Sequence, residues 1–198
     1  MRPLRGSDSA GSMLGPNSPV SSKPSNKSFV QAYNAQAVVD SESQIILASE
    51  VTNQSNDKNQ VKPMVSAASQ NMQAMPDQLS ADAGYFSEAN VRWLIQQKVA
   101  PYIPPDKQKH GQQRLTPRGP ITPEMTVADR MRRKLRTRRG SEIYGKRKTI
   151  VEPVFGMIKA TLGFRQFALR GLDKVRAEWD LVCTCHNLLK AFRGCAAA

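Results

Sequence analysis

The stretch QLSADAGYFSEANVRWLIQQKVAPYIP (residues 78–104) changes periodicity twice, and its order fixes the fold class. Gln78-Leu-Ser-Ala-Asp82 is short and β-prone, Ala83-Gly-Tyr-Phe86 is a turn, and Ser87 has the chemistry of a helix cap. Val91, Leu94, Ile95 and Val99 then share one helical side, before the extended run Ala100-Pro-Tyr-Ile-Pro104. Strand, helix and strand in so short a stretch predict a βαβ unit.

Upstream, Val61, Met64, Val65, Ala68 and Met72 recur at helical spacing between Asp57 and Ala74, ahead of Pro76, which cannot continue a helix. Before them, Ala35–Val39 and Gln44–Ala48 are β-prone runs joined by the polar turn Asp40-Ser-Glu-Ser43, an antiparallel hairpin. Downstream, the prolines and glycines of residues 105–123 form a loop insertion. Arg130–Arg139 is densely basic, Tyr144–Leu162 is a helix candidate, and Asp173–Phe192 is amphipathic through Val175, Trp179, Val182, His186 and Leu189. The whole predicts a mixed α/β sheet with flanking helices over residues 29–194 and a short tail at 195–198. Residues 1–28, rich in Ser, Pro, Gly and Asn, bury too little apolar surface to offset ordering entropy and are expected to be a flexible arm.

The 198 residues hold 29 Lys and Arg against 16 Asp and Glu, a formal charge of +13. Such a surface attracts polyanions, because each phosphate neutralised releases condensed counterions. Nucleic acid is therefore the leading partner. No stretch approaches the roughly 20 apolar residues of a spanning helix, and no apolar run follows the N-terminal arginines as in a signal peptide, so a cytoplasmic protein is expected. Cys183, Cys185 and Cys195 are odd in number and crowded together, which argues for reduced thiols. Cys183, Cys185 and His186 lie within an apolar helical pattern and lack a second ligand pair, which favours a packing role over a metal site.

Two carboxylates stand where chemistry could occur. Phosphodiester hydrolysis and strand joining can be run by two metal ions about 3.5 to 4 Å apart, held by converging carboxylates. Asp82 ends a strand just before Gly84, where a side chain can reach a crevice, although turn initiation is a common role for Asp. Glu152 shares a helical stripe with Tyr144, Lys148, Phe155 and Lys159, and Lys159 lies about 10.5 Å further along the axis. An exposed Glu pairing with a nearby cation is the alternative. Pro153 implies that the helix restarts there, with Glu152 at its cap, or kinks. The run from Arg130 to Lys148 contains Glu142 as its sole carboxylate, so local ion pairs cannot neutralise it and phosphate contact is favoured over a solvated face.

Tyr144, Arg147, Glu152 and Lys159 resemble the Tyr-Arg-Glu-Lys signature of insertion-sequence transposases with a DDE catalytic domain, most specifically in Val151-Glu-Pro-Val-Phe-Gly-Met-Ile-Lys159. Ala81-Asp-Ala-Gly-Tyr-Phe-Ser-Glu88 is similar to the family segment bearing the second catalytic Asp, Tyr33–Asp40 to the hairpin before it, and the helix containing His186-Asn-Leu188 to the closing helix. The resemblance spans about Gln31–Phe192, apart from the loop after Pro105. It implies an RNase H-like fold, Mg²⁺ or Mn²⁺, and cleavage and strand transfer of double-stranded DNA at transposon ends and target. It also allows a homodimer and places the protein at the bacterial nucleoid.

By this resemblance Asp82 and Glu152 are the second and third catalytic, metal-binding carboxylates. Tyr144, Arg147, Lys148 and Lys159 contact DNA, and Arg147 and Lys148 can exchange roles because of the one-residue difference in spacing from some members. Arg132, Arg133 and Arg136 belong to the same basic face. The family's first Asp lies on a strand upstream of the hairpin, and nothing from Met1 to Phe29 resembles it. Asp8 lies in the expected arm and Asp40 in a turn, so the sheet is expected to be incomplete at its N-terminal edge and the enzyme truncated. A non-catalytic DNA-binding protein of transposase origin is the second reading. RNA binding follows from charge alone and has no stacking motif behind it.

Overall fold

The structure is a computed structural model that describes residues 10–14, 33–54, 56–106 and 119–196, with the backbone alone at 10–14 and 195–196. Its strands are β1 (Ala10–Leu14), β2 (Asn34–Val39), β3 (Ile46–Thr52), β4 (Gln78–Ala81) and β5 (Ala100–Tyr102). Its helices are α1 (Val61–Met72), α2 (Glu88–Gln96), α3 (Val127–Arg136), α4 (Arg138–Ala160) and α5 (Leu172–Ala196). The strands form one mixed sheet in the order β3-β2-β1-β4-β5, antiparallel from β3 to β1 and parallel from β1 to β5.

β1 corrects two expectations. It lies within the stretch expected to be a flexible arm, and it stands in the middle of a sheet whose N-terminal edge was expected to be incomplete. Ala10-Gly-Ser-Met-Leu14 has weak β-propensity, so no local signal marks it. Its order comes from ladders on both sides, with Met13 opposite Val38 of β2 and Ala81 of β4. Asp8 and the rest of the expected arm lie outside the described residues, as do residues 107–118 of the expected loop. The expected tail is shorter, since α5 continues to Ala196.

Alternation along β2 sends neighbours to opposite faces. Val38 packs with Val61, Met64, Val65 and Ala68 of α1 and Leu94 of α2, while Ala37 and Val39 pack with Ile150, Val151, Val154, Phe155 and Ile158 of α4 and Val175 and Trp179 of α5. The sheet is thus covered on both faces. The predicted cap of α2 is present, with the Asn90 amide donating to Ser87 Oγ at 3.1 Å. The basic segment forms its own helix, because Thr126 caps α3 and Thr137 both ends α3 and caps α4. Gly140 is required at that junction, where a Cβ would stand 1.9 Å from the Lys134 carbonyl oxygen.

β3 is an edge strand, and unpaired edge groups invite association. α5 covers one point of it, since Asn187 Oδ1 accepts from the Ile46 amide and Asn187 Nδ2 donates to the Ile46 carbonyl, both at 2.8 Å. His186 Nε2 lies 3.0 Å from the Gln44 carbonyl, and burial lowers the imidazole pKa. These contacts give the His186-Asn187 pair a structural role. Cys183 packs into the same core, and burial together with Asp180 pushes its thiol up to about 12.

Candidate functional site

Asp82 follows β4 directly and begins a turn of 3-10 helix over Ala83–Tyr85. Its carboxylate is gripped on both oxygens by Arg147, with Nη1 donating to Oδ2 at 3.0 Å and Nη2 to Oδ1 at 2.8 Å. This is the fork geometry that makes Arg–carboxylate pairs strong and directional. Arg147 projects from the buried side of α4 and is itself 10% exposed at the side chain, against 41% for Asp82. Its guanidinium carbon stands 5.4 Å from the Tyr144 ring centroid. Its Nε is buried without a partner among the described residues.

Glu152 is exposed on α4, five residues beyond Arg147, or about 7.5 Å along the axis. No hydrogen bond or ion pair joins it to Asp82 among the described residues. α4 neither restarts nor is capped at Glu152, because helix continues through Pro153. A proline inside a helix removes the bond to the carbonyl four residues earlier. That carbonyl, Thr149, instead accepts from Gln44 Nε2 at 3.2 Å. Gln44 sits at φ 58, and its Oε1 accepts from Lys190 at 2.8 Å. One residue of the hairpin turn therefore ties α4 at its proline to α5.

Asp40 builds that turn, with Oδ2 accepting from Glu42 N, Ser43 N and Ser43 Oγ. The structure thus brings Asp82, Arg147 and Tyr144 together and leaves Glu152, Lys148 and Lys159 further along the α4 stripe. Among the described residues no group of three or more His, Cys, Asp or Glu could hold a metal ion. With both Asp82 oxygens facing a guanidinium, these residues as arranged do not fit the Mg²⁺ or Mn²⁺ site expected of Asp82 and Glu152.

The basic residues divide into two groups. Arg132 is committed to Asp106 at 2.7 Å and Asp129 at 2.7 Å, and Arg133 donates to the Gly119 carbonyl. Arg138 pairs with Glu142 at 3.1 Å. Arg136, Arg139, Lys146 and Lys148 are exposed and form no ion pair among the described residues. Lys134 lies deeper, donating to the Pro101 carbonyl at 3.0 Å and standing 4.0 Å from the Tyr102 centroid. Burial, reinforced by Arg139, lowers its pKa to about 8.

Sequence reasoning missed Asp57. Its Oδ1 accepts from Asn34 Nδ2 at 2.7 Å and Gln36 Nε2 at 3.0 Å, and its Oδ2 lies 3.0 Å from where a Cβ on Gly84 would stand. Gly84 therefore lets Asp57 approach the turn that carries Asp82. The charges of Asp57 and Asp82 add to burial in raising the Tyr85 phenol pKa. The available signal was Asn34 and Gln36, polar residues two apart on one face of a strand otherwise made of small and apolar residues.

A mixed sheet covered on both faces, with an Arg-clamped aspartate at a strand end and unneutralised cations on neighbouring helices, defines an α/β domain suited to a polyanion. The chain belongs to the transposase DDE domain family, whose model matches residues 12–188. No curated protein matches the chain. Membership assigns a transposition-related function with DNA as partner, in a family that typically uses divalent metal ions. No helix among the described residues is long and apolar enough to cross a membrane.

Proposed function

We propose that this chain acts as a DNA-binding DDE domain of RNase H-like type, engaging duplex DNA through the α3–α4 face. The strand order β3-β2-β1-β4-β5, with two antiparallel partners leading into a parallel half, supports the RNase H-like reading. The carrying observation is the set Arg136, Arg139, Lys146 and Lys148, exposed and without acidic partners among the described residues. Long cationic side chains of this kind hold phosphates and position a duplex without reading its bases. Arg132 and Arg133 shape the face rather than touch DNA, since their guanidinium groups already have partners.

Cleavage and strand transfer at Asp82 and Glu152 is not the function the described residues support best. Asp82 acts here as the anchor of Arg147, and binding without cleavage is the reading the geometry favours. Fluorescence anisotropy on a labelled duplex tests it. The triple variant Arg136→Ala, Arg139→Ala, Lys146→Ala is expected to weaken binding and to reduce the salt slope by about 3, roughly one per phosphate contact. Unchanged affinity and slope would place the DNA elsewhere.

A further inference from the structure

The geometry points to the outer face of α5 as a contact between two copies of this chain, packed antiparallel about a two-fold axis. α5 buries Val175, Trp179, Cys183 and His186 on one side. On the opposite side Leu181, Leu188 and Phe192 are 65%, 64% and 73% exposed. Spacings of seven and four residues hold these three within about 40° of one another on the helix, and Cys185 lies on the same stripe. Among the described residues seven large apolar side chains are exposed, and this stripe holds three of them. A surface helix ordinarily turns one apolar stripe to the core and a polar face to water. The second apolar stripe of α5 marks a contact surface.

The stripe is complementary to itself in one direction. In an antiparallel pair Leu181 faces the partner's Phe192 and Cys185 faces the partner's Leu188, in a single register, because the four positions are symmetric about the point between His186 and Asn187. A two-fold axis at that point makes each contact twice. Charge selects the same direction. Glu178 and Arg193 flank the stripe on one side at nearly equal distances from its centre, and neither forms an ion pair among the described residues. The Glu178 carboxylate accepts from the Ala168 and Leu169 amides, which leaves its charge without a cation. Antiparallel packing sets Glu178 beside the partner's Arg193, whereas parallel packing would set like charges together at both positions. A single helix face is smaller than a standard interface of about 800 Å² per partner, so the dimer is a weak one with a dissociation constant in the micromolar range. The contact uses none of the residues assigned to DNA and does not depend on that assignment.

Sedimentation equilibrium of the full chain without DNA tests it. The natural chain is expected to interconvert between monomer and dimer at micromolar concentrations. Leu188→Glu puts a charge into the apolar contact from both copies and is expected to weaken dimerisation about tenfold or more. Its thermal unfolding should match that of the natural chain, because residue 188 is exposed. Arg193→Glu sets a carboxylate against the partner's Glu178 and is expected to weaken dimerisation about fivefold. A natural chain that stays monomeric throughout the micromolar range, as it would if another segment covered the stripe, overturns the proposal. So does association that Leu188→Glu leaves unchanged. Association weakened by Leu188→Glu but indifferent to Arg193→Glu overturns the antiparallel arrangement, since parallel packing would only exchange one like-charged pair for another.

Discussion

Removing either partner of the Asp82–Arg147 pair should cost very different amounts. Asp82→Asn leaves a guanidinium that is 10% exposed without its counter-charge. An uncompensated buried charge costs about 3–5 kcal/mol, and the remaining Asn oxygen can accept one bond, so a loss of about 3 kcal/mol is expected. Arg147→Met instead leaves a carboxylate that is 41% exposed and can rehydrate. It forfeits charged hydrogen bonds of about 1.5–3 kcal/mol but also removes the buried, unpartnered Nε, whose cost is about 1–3 kcal/mol, leaving a net loss of about 1 kcal/mol. Urea unfolding followed by circular dichroism measures both. The double variant should lose little more than Arg147→Met alone, because the orphaned guanidinium is gone. Equal losses, or a larger loss for Arg147→Met, would refute the claim that Asp82 serves chiefly to hold a buried arginine.

Gln44→Ala should destabilise by about 0.5–1.5 kcal/mol by removing the bond to the exposed Thr149 carbonyl, which can rehydrate, and Gln44→Gly should cost less because glycine adopts φ 58 freely; thermal unfolding ranks the two. Trp179→Ala removes a side chain stacked on Phe155 at 5.8 Å and hydrogen-bonded to the Gln36 carbonyl, and should cost about 4 kcal/mol in urea unfolding. Lys134 has a folded pKa of about 8 against 10.5 in the unfolded chain, so the unfolded state binds more protons between those values. Its destabilising share is full below pH 8 and is relieved as pH rises towards 10.5. Stability relative to Lys134→Met should therefore rise across that window, and a flat difference would contradict the burial of Lys134.

Periodicity revealed most of the frame. The hairpin, the helix ahead of Pro76, β4, the Ser87 cap and β5 all have strong local signals, and they occur in the expected order. β1 does not, because Ala10-Gly-Ser-Met-Leu14 is short and weakly β-prone and owes its order to ladders on both sides. Pro153 misled for a related reason, since the side chain that satisfies the freed Thr149 carbonyl is 105 residues away in sequence. Asp82 and Arg147 were each singled out in the sequence, for separate roles, but their mutual pairing was not legible, because sequence spacing carries no information across 65 positions. The division of the arginines into paired and unpaired groups likewise depends on Asp106 and Gly119, which reach them only in the fold.

The salt dependence of duplex binding tests the central claim most directly. Four phosphate contacts from Arg136, Arg139, Lys146 and Lys148 predict that log K falls with log salt at a slope of roughly −3.6, with little preference among sequences. A slope near zero, or binding that survives high salt unchanged, would contradict a DNA interface on the α3–α4 face.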